Sequence, residues 1–413
     1  MHLPPVTLAR QSIALAARNV ARQRRRALLA LATLAGGVIA YLLAGGFINW
    51  IYQDMRESTI HSQLGHIQIT RPGYFREGLG APYAYLLPSD TAAVTEAVGE
   101  RLRTVAPRLA FSGLLSKDDA TVSFVGEGID PEREAPITRA IIIAAGSDLP
   151  NSPPNSVLLG EGLAANLGAV PGYSVVLLAT TASGGANAVE LTVSGTFATV
   201  TKAYDDTVLR VPIDVARKLM RVDGSTSWAV LLDRTAATAE VAQSLRKALP
   251  AAEFEVIPWS ELADFYNKTV ELFSRQIGVV RILIALIVIL SISNTLSMAV
   301  IERTGEIGTS MALGVRRRGV LTLFIFEGAL LGLAGGIIGV ALGYLCGEIV
   351  SLIGIPMPPP PGMARGYIGA ISISPALAID AFLLAFVTTL LASVFPAWKA
   401  SRMNIVDALR HQR

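Results

Sequence analysis

Four stretches of this chain carry long, almost uninterrupted runs of apolar residues, at 27–51, 277–301, 320–353 and 376–398. Each approaches or exceeds the roughly 20 residues a helix needs to cross about 30 Å of hydrocarbon, so each is expected to be a transmembrane helix. The third exceeds what a crossing requires, which leaves room for tilt, a break near its glycines or an extension beyond the bilayer. Residues 52–276, between the first and second runs, read instead like an ordinary water-soluble domain. The expected fold class is a membrane α-helical protein with four transmembrane helices, one before and three after a large α+β outer domain.

Within that domain, short strands are expected at 67–70, 121–125, 156–159, 174–178, 190–193 and 228–232. A helix follows Ser89–Asp90, with Val94, Val98, Leu102 and Val105 on one face, and another carries Val241, Leu245 and Leu249 before Pro250. Shorter helices are expected at 161–167, closed by Gly168, and at 214–220. Turn residues at 126–130 and 221–225 set off a β-rich insertion, about 130–225, leaving an α/β subdomain built from its two flanks. From Pro258 a helical pattern (Leu262, Phe265, Tyr266, Phe273, Ile277) continues without a breaker into the second apolar run. It is either a rigid coupling element or a plain linker helix. Between the third and fourth runs, in 354–375, the Pro356–Gly362 run predicts a stiff polyproline II element, either a rigid turn or a contact point.

Composition sharpens the membrane reading. Of 413 residues, 52% are hydrophobic and 16% charged, against about 25% charged in soluble proteins. The net charge of +3 matters less than where the cations stand. Arg10, Arg18, Arg22, Arg24, Arg25 and Arg26 precede the first run; Arg303, Arg316, Arg317 and Arg318 lie between the second and third; Lys399, Arg402, Arg410 and Arg413 follow the fourth. The connection between the third and fourth holds only Arg365. By the positive-inside rule both termini and the 302–319 loop are cytoplasmic, and 52–276 and 354–375 face outward. The first run is expected to be a retained span rather than a signal peptide, because its apolar stretch exceeds the usual 7–15 residues or so. Residues 1–26 form a candidate amphipathic helix, with Ala9, Ile13, Ala16 and Val20 on one stripe and Arg18, Arg22 and Arg25 on another. It is either a surface helix drawn to anionic headgroups or a helical basic flank. The tail 399–413 is short. Cys346 is the single cysteine, so no intramolecular disulfide forms.

Familiar catalytic signatures do not occur in these 413 residues. There is no G-x-x-x-x-G-K-[ST] phosphate loop and no G-x-S-x-G elbow. Gly126–Gly128 and Gly160–Gly162 begin dinucleotide fingerprints that neither completes, and Asp205–Asp206 reads as a turn. His61 and His66 lack metal-ligand company and are expected to be surface or satisfied histidines. Four ionisable groups fall within or near the spans. Arg281, Glu348 and Asp380 are close enough to an end to snorkel. Glu327 lies about two turns inside the third run and is a packing group, part of a gate or a proton relay. Gly328, Gly332, Gly336, Gly339, Gly343 and Gly347 form overlapping small-xxx-small repeats, which permit close helix approach within the bundle or across a dimer.

The loop after the second run reads Asn294-Thr-Leu-Ser-Met-Ala-Val-Ile-Glu-Arg-Thr-Gly-Glu-Ile-Gly-Thr-Ser-Met-Ala-Leu-Gly314. It resembles the coupling-helix signature of the FtsX-like permease superfamily, matched at Asn294, Arg303, Glu306, Ile307, Gly308, Ala312 and Gly314. Glu327-Gly328 and the glycine-rich third run look like the family's next segment, and Pro396-Ala397-Trp398-Lys399-Ala400-Ser401-Arg402 with Ala408-Leu409-Arg410 resembles its closing motif. Residues 157–168 and the Pro171-Gly172 turn are similar to the outer domain of MacB- and LolC/LolE-type permeases, whose α/β part is porter-like. The resemblance implies a permease subunit of a mechanotransmission-type ABC transporter in the bacterial inner membrane. It implies that Glu302, Arg303, Glu306, Ile307, Gly308, Ala312 and Gly314 dock into a separate ATPase subunit, which carries the ATP and Mg; no cofactor or metal is expected on this chain. A second permease copy or paralogue and a periplasmic carrier or membrane-fusion-type protein are further expected partners, with no nucleic acid. Extraction or export of lipoproteins or other hydrophobic substrates at the outer leaflet is the leading function the resemblance implies, with lipoprotein release its favoured form, and FtsX-like activation of a cell-wall hydrolase is the alternative. A sensor receptor is disfavoured by the lack of a cytoplasmic output domain after the fourth run.

Overall fold

The structure, a computed structural model, describes residues 24–150, 155–199, 201–359 and 366–404, with 15, 16, 18, 19 and 22. The apolar stripe through Ala9, Ile13 and Val20, the end of the proline run, Arg365 and the 408–410 motif lie outside the described residues. The chain divides into two compact units, one holding Val270–Pro356 with the described residues up to Tyr52 and from Ile368, the other Gln53–Thr269 and Met357–Tyr367.

The Gln53–Thr269 unit carries ten strands: β1 (Ile67–Thr70), β2 (Leu102–Lys117), β3 (Ala120–Ile129), β4 (Ile142–Gly146), β5 (Ser156–Gly160), β6 (Ser174–Thr180), β7 (Ala186–Ala198), β8 (Val208–Pro212), β9 (Ser227–Leu232) and β10 (Glu255–Pro258). β10, β1, β9 and the first half of β2 pair antiparallel in that order. With helices Ala92–Val98 and Thr238–Ala248 they make a βαβ–βαβ arrangement of the ferredoxin-like kind. Its core packs Ile67, Ile69, Val94, Trp228, Val230 and Leu245. Between its second and third strands the chain builds something different. β2–β3–β8–β5–β7–β6 pair in succession, and β6 returns to β2, closing a six-stranded barrel. Closure removes the exposed edges an open sheet would present. The barrel core holds Leu109, Phe111, Leu115, Phe124, Leu177 and Leu209. β4 adds to β7 outside the closed circuit.

β2 belongs to both sheets. Leu102–Arg108 pair with β9 and Arg108–Lys117 with β3, so Arg108 is the position at which the strand changes partners.

Several sequence expectations require correction. The helix after Asp90 ends at Val98, because Gly99 turns it off at φ +63. Leu102 and Val105 therefore belong to β2: their 3.6-residue spacing continued past a break that glycine imposes. Gly126–Ile129 are strand interior rather than a turn, and a Cβ at Gly126 would collide with the Phe111 ring, so this glycine serves close packing. Arg221 and Gly224, both at positive φ, do turn the chain. The helical pattern from Pro258 is interrupted at Ala263 (φ −86, ψ 60), which separates Trp259–Leu262 from the long helix Asp264–Glu302. β2, β4, β8 and β10 lie outside the strands expected from sequence, and β3 and β7 run well beyond the expected 121–125 and 190–193.

The other unit holds the apolar stretches of four long helices, Arg24–Thr59, Asp264–Glu302, Arg317–Ile353 and Pro375–Ser401. All four are long and apolar enough to cross a membrane. The third runs unbroken through its glycines, which lie on two faces. A Cβ added at Gly328 or Gly336 would come within 2.6 Å of Ser393 or 2.8 Å of Phe382 on the fourth helix. One added at Gly335, Gly339 or Gly343 would meet Leu34, Val38 or Leu42 on the first at 2.5–2.6 Å. Gly332 faces Thr389 of the fourth helix. The small residues thus let the third helix nest between two neighbours of the same chain.

Candidate functional site

The second long helix ends at Glu302. Arg303, at φ −100 and ψ 13, turns the chain into a nine-residue helix, Thr304–Ala312. Gly314 at φ +101 then lets the chain reverse toward the third long helix, a conformation that glycine adopts without strain. Ile307, Gly308 and Met311 fall on one face and are buried. Ile307 and Met311 pack with Val300, Val320, Phe324, Ala397 and Ala400. Thr309 and Ala312 lie on the open face, followed by Leu313, which is 82% exposed. Of the seven residues expected to couple, Ile307 and Gly308 therefore seat the helix, while Glu302, Glu306, Ala312 and Gly314 are exposed.

Arg303 turns inward. Its side chain is 11% exposed and Glu327's is 5% exposed, and Nη1 donates to Glu327 Oε1 at 3.0 Å. Nε donates to Glu306 Oε2 at 3.3 Å, and the guanidinium lies 5.9 Å from the Phe324 ring centroid. The same Glu327 oxygen accepts from Asn19 Nδ2 at 2.7 Å. Glu327 is thus the counter-ion that fixes the turn into the loop helix, a pairing across 24 residues that local sequence pattern does not expose.

The N-terminal basic segment meets the same loop. Arg22 Nη2 donates to Glu306 Oε1 at 2.5 Å, and Arg26 pairs with Glu302. Asn19, Arg22 and Arg26 follow i, i+3, i+7 spacing, which places them along one helical face. Arg22, one of the cations of the basic flank, reaches the loop while its side chain stays largely exposed. Burial pushes the Glu306 carboxyl up, but Arg22 and Arg303 outweigh it and hold the group below the usual carboxylate range. A pocket of about 320 Å³ opens here, lined by Leu15, Arg303, Glu306, Ile307, Val315 and Phe324 among others.

A second polar junction ties the helices together. Arg281 Nη2 lies 2.9 Å from Asp380 Oδ1, and Tyr41 Oη donates to Asp380 Oδ2 at 2.6 Å. Arg281 and Asp380, each near the end of its apolar run, pair with each other and stay partly exposed. His61 and His66 are both buried, and their rings meet edge-on at 5.9 Å. Among the described residues no group of three or more His, Cys, Asp or Glu could hold a metal ion.

Comparisons with known proteins agree with this anatomy. Residues 27–248 match the MacB-like periplasmic core domain, and residues 278–405 match the FtsX-like permease C-terminal family. The chain is 27% identical over 212 residues to the uncharacterized ABC transporter permease MJ1507 of Methanocaldococcus jannaschii, covering 50% of this chain and 51% of that one. It is 32% identical over 181 residues to the macrolide export ATP-binding/permease protein MacB of Escherichia coli, covering 43% of this chain and 26% of that one. The matched regions thus span about half or less of these relatives' length. The crystal structure of the periplasmic region of MacB from Actinobacillus actinomycetemcomitans overlays with a TM-score of 0.36 at 15% identity, covering 50% of this chain and 94% of that one. With the loop helix, the four apolar helices and the core domain between the first two all in place, the chain belongs to the FtsX-like, MacB-type family of ABC transporter permeases.

Proposed function

We propose that this chain is the permease subunit of a mechanotransmission-type ABC transporter in a bacterial inner membrane, with termini and loop helix cytoplasmic and the core domain periplasmic. The observation that carries the reading is the loop helix Thr304–Ala312. One face is seated on the bundle, the Arg303–Glu327 pair fixes its root, and its open face ends in exposed Leu313. An exposed large apolar side chain bordered by cations suits docking into a groove of a separate ATPase subunit, which supplies ATP and Mg chemistry. Two permease copies or a paralogous pair work with two ATPases. The substrate is a lipoprotein or another hydrophobic or amphipathic molecule taken from the outer leaflet, passed to a periplasmic carrier or fusion-type protein. The barrel and ferredoxin-like halves are its moving parts. Such transport need not thread substrate through the bundle, so an apolar bundle is compatible with it.

The test is substrate-stimulated ATP hydrolysis in proteoliposomes holding this chain and its ATPase. Leu313→Glu and Glu306→Lys are expected to abolish stimulation while the core domain stays folded; unchanged stimulation in both rejects the docking assignment. Depletion in cells separates the readings of purpose. Lipoproteins retained in the inner membrane support extraction. Normal lipoprotein sorting with altered cell-wall hydrolysis favours an FtsX-like signal transmitter.

A further inference from the structure

The first long helix does not simply end where the folded domain begins. After Thr59 it widens into a π-type turn, Ile60–Leu64, and His61 leaves helical geometry at φ −95 and ψ 16. A helix C-terminus leaves its last four carbonyls unpaired and carries partial negative charge. Here the Ile60 carbonyl is capped by the turn's own Gly65, and those of His61, Ser62 and Gln63 are taken up by other segments of the domain. Ile60 O accepts from Gly65 N at 2.9 Å and His61 O from Ala140 N at 2.9 Å. Ser62 O accepts from Arg210 Nη2 at 3.1 Å, and Gln63 O accepts from Arg108 Nη1. All of these residues lie in the Gln53–Thr269 unit.

The two arginines are unusual in themselves. Both are buried, and each is fixed by its own carboxylate: Arg108 Nε donates to Glu134 Oε2 at 3.1 Å, and Arg210 Nε to Glu127 Oε2 at 3.0 Å. Arg210 and Glu127 face each other on neighbouring barrel strands β8 and β3. Arg108 stands where β2 passes from the ferredoxin-like sheet into the barrel. Burying two ion pairs is costly relative to apolar packing of the same volume, so core stability alone is a poor reason to place them here. Their geometry does have a consequence: Arg108 bonds the Gln63 carbonyl with Nη1 and Glu134, on the short helix Pro131–Glu134 after β3, with Nε and Nη2, while Arg210 bonds the Ser62 carbonyl and Tyr204 Oη with Nη2 and the barrel-strand carboxylate Glu127 with Nε.

We propose that Arg108 and Arg210 form a socket that grips the C-terminal turn of the first long helix and passes displacement of that helix into the barrel. They are positioning residues for the mechanical cycle, and the inference rests on the permease reading above. Both are buried inside the core domain. A plain linker would let the helix end swing without moving the barrel; a socket anchored at the strand shared by both sheets makes the two move together.

The test uses the full chain with its ATPase in lipid nanodiscs, in a Cys346→Ser background. Nitroxides at Leu272→Cys and Asp119→Cys report the distance between the second long helix and the β2–β3 hairpin, with and without ATP and vanadate. Single removal of an arginine strands a buried carboxylate and endangers folding, so the variants remove pairs: Arg108→Met with Glu134→Leu, and Arg210→Met with Glu127→Leu. In each, the nucleotide-dependent distance change is expected to fall at least roughly threefold while ATP turnover changes less than about twofold. Arg108→Lys and Arg210→Lys, which keep a charged donor, are expected to retain more of the change than the paired variants. An undiminished distance change in both paired variants overturns the socket and leaves the permease reading standing. Turnover and movement falling together mark a merely structural role and also overturn it. No nucleotide-dependent change in the unsubstituted chain defeats the mechanical reading itself, and the socket's role with it.

Discussion

Charge is handled in opposite ways on the open side of the loop helix and around Arg108 and Arg210 in the interior of the core domain. At the loop, Arg22–Glu306 and Arg26–Glu302 are ion pairs with substantial exposure on both sides, and only Arg303–Glu327 is withdrawn from water. In the core domain, Arg108–Glu134 is sealed, with side chains 6% and 1% exposed, and Arg210 is equally inaccessible. Exposed pairs gain little and exchange readily with water and salt; buried pairs are strongly coupled to the fold because neither partner tolerates being left alone. The difference teaches what each region is suited to do. A surface that must be released and re-engaged by a partner is served by weak pairs, and a joint that must hold its register under load is served by sealed ones.

The contrast is broken most severely at Arg108. Arg108→Met leaves Glu134 buried without its partner and is expected to cost about 3–5 kcal/mol of core-domain stability, read as a lowered urea midpoint of tryptophan fluorescence. If the loss is small, the pair is not sealed and the comparison fails. Glu327→Gln tests the intermediate case. The amide can still accept from Arg303 but removes the counter-charge, for an expected cost of about 1.5–3 kcal/mol, measured by unfolding in mixed micelles together with loss of ATPase stimulation.

His66 sharpens the core-domain side through pH. Burial, with His61 beside it, holds its pKa down to about 4, against 6.5 for the ordinary group. Its Nδ1 accepts the Leu232 N–H at 3.0 Å, which requires that nitrogen unprotonated. The unfolded chain therefore binds the proton first, and the stabilisation is whole above about 6.5 and lost as pH falls toward 4. His66→Gln is expected to flatten that part of the stability profile, and an unchanged slope assigns it to other groups, including His61.

The smallest effect is expected at Glu306. Its depressed pKa means that the Arg22 and Arg303 contacts persist from neutral pH through the ordinary carboxylate range and are lost only below it. Glu306→Gln should change stability by less than about 1 kcal/mol, and raising salt should erase the difference between the two proteins. A salt-insensitive loss would show that the loop pairs are not the weak ones.

Much of this organisation was open to the sequence alone. Apolar run length places four helices, because a hydrocarbon-spanning segment is a one-dimensional signal needing no knowledge of neighbours. The Glu302–Gly314 pattern placed the loop helix and the family for a similar reason: its residues are contiguous. Gly168 closed the 161–167 helix as expected, with φ +64 at its end. What stayed hidden involves partners distant in the chain. β2 was missed because half of it alternates against β9 and half against β3, so no single inside–outside pattern runs its length. The two faces of the third helix could not be told apart until the first and fourth helices took their places against Gly339 and Gly336. Arg303 finds Glu327 across 24 residues, Arg22 finds Glu306 across 284, and Arg210 finds Ser62 across 148. Local propensity and hydrophobic period mark the long apolar helices and several of the shorter elements. Which charges face each other depends on how those segments pack, and only the tertiary structure decided that.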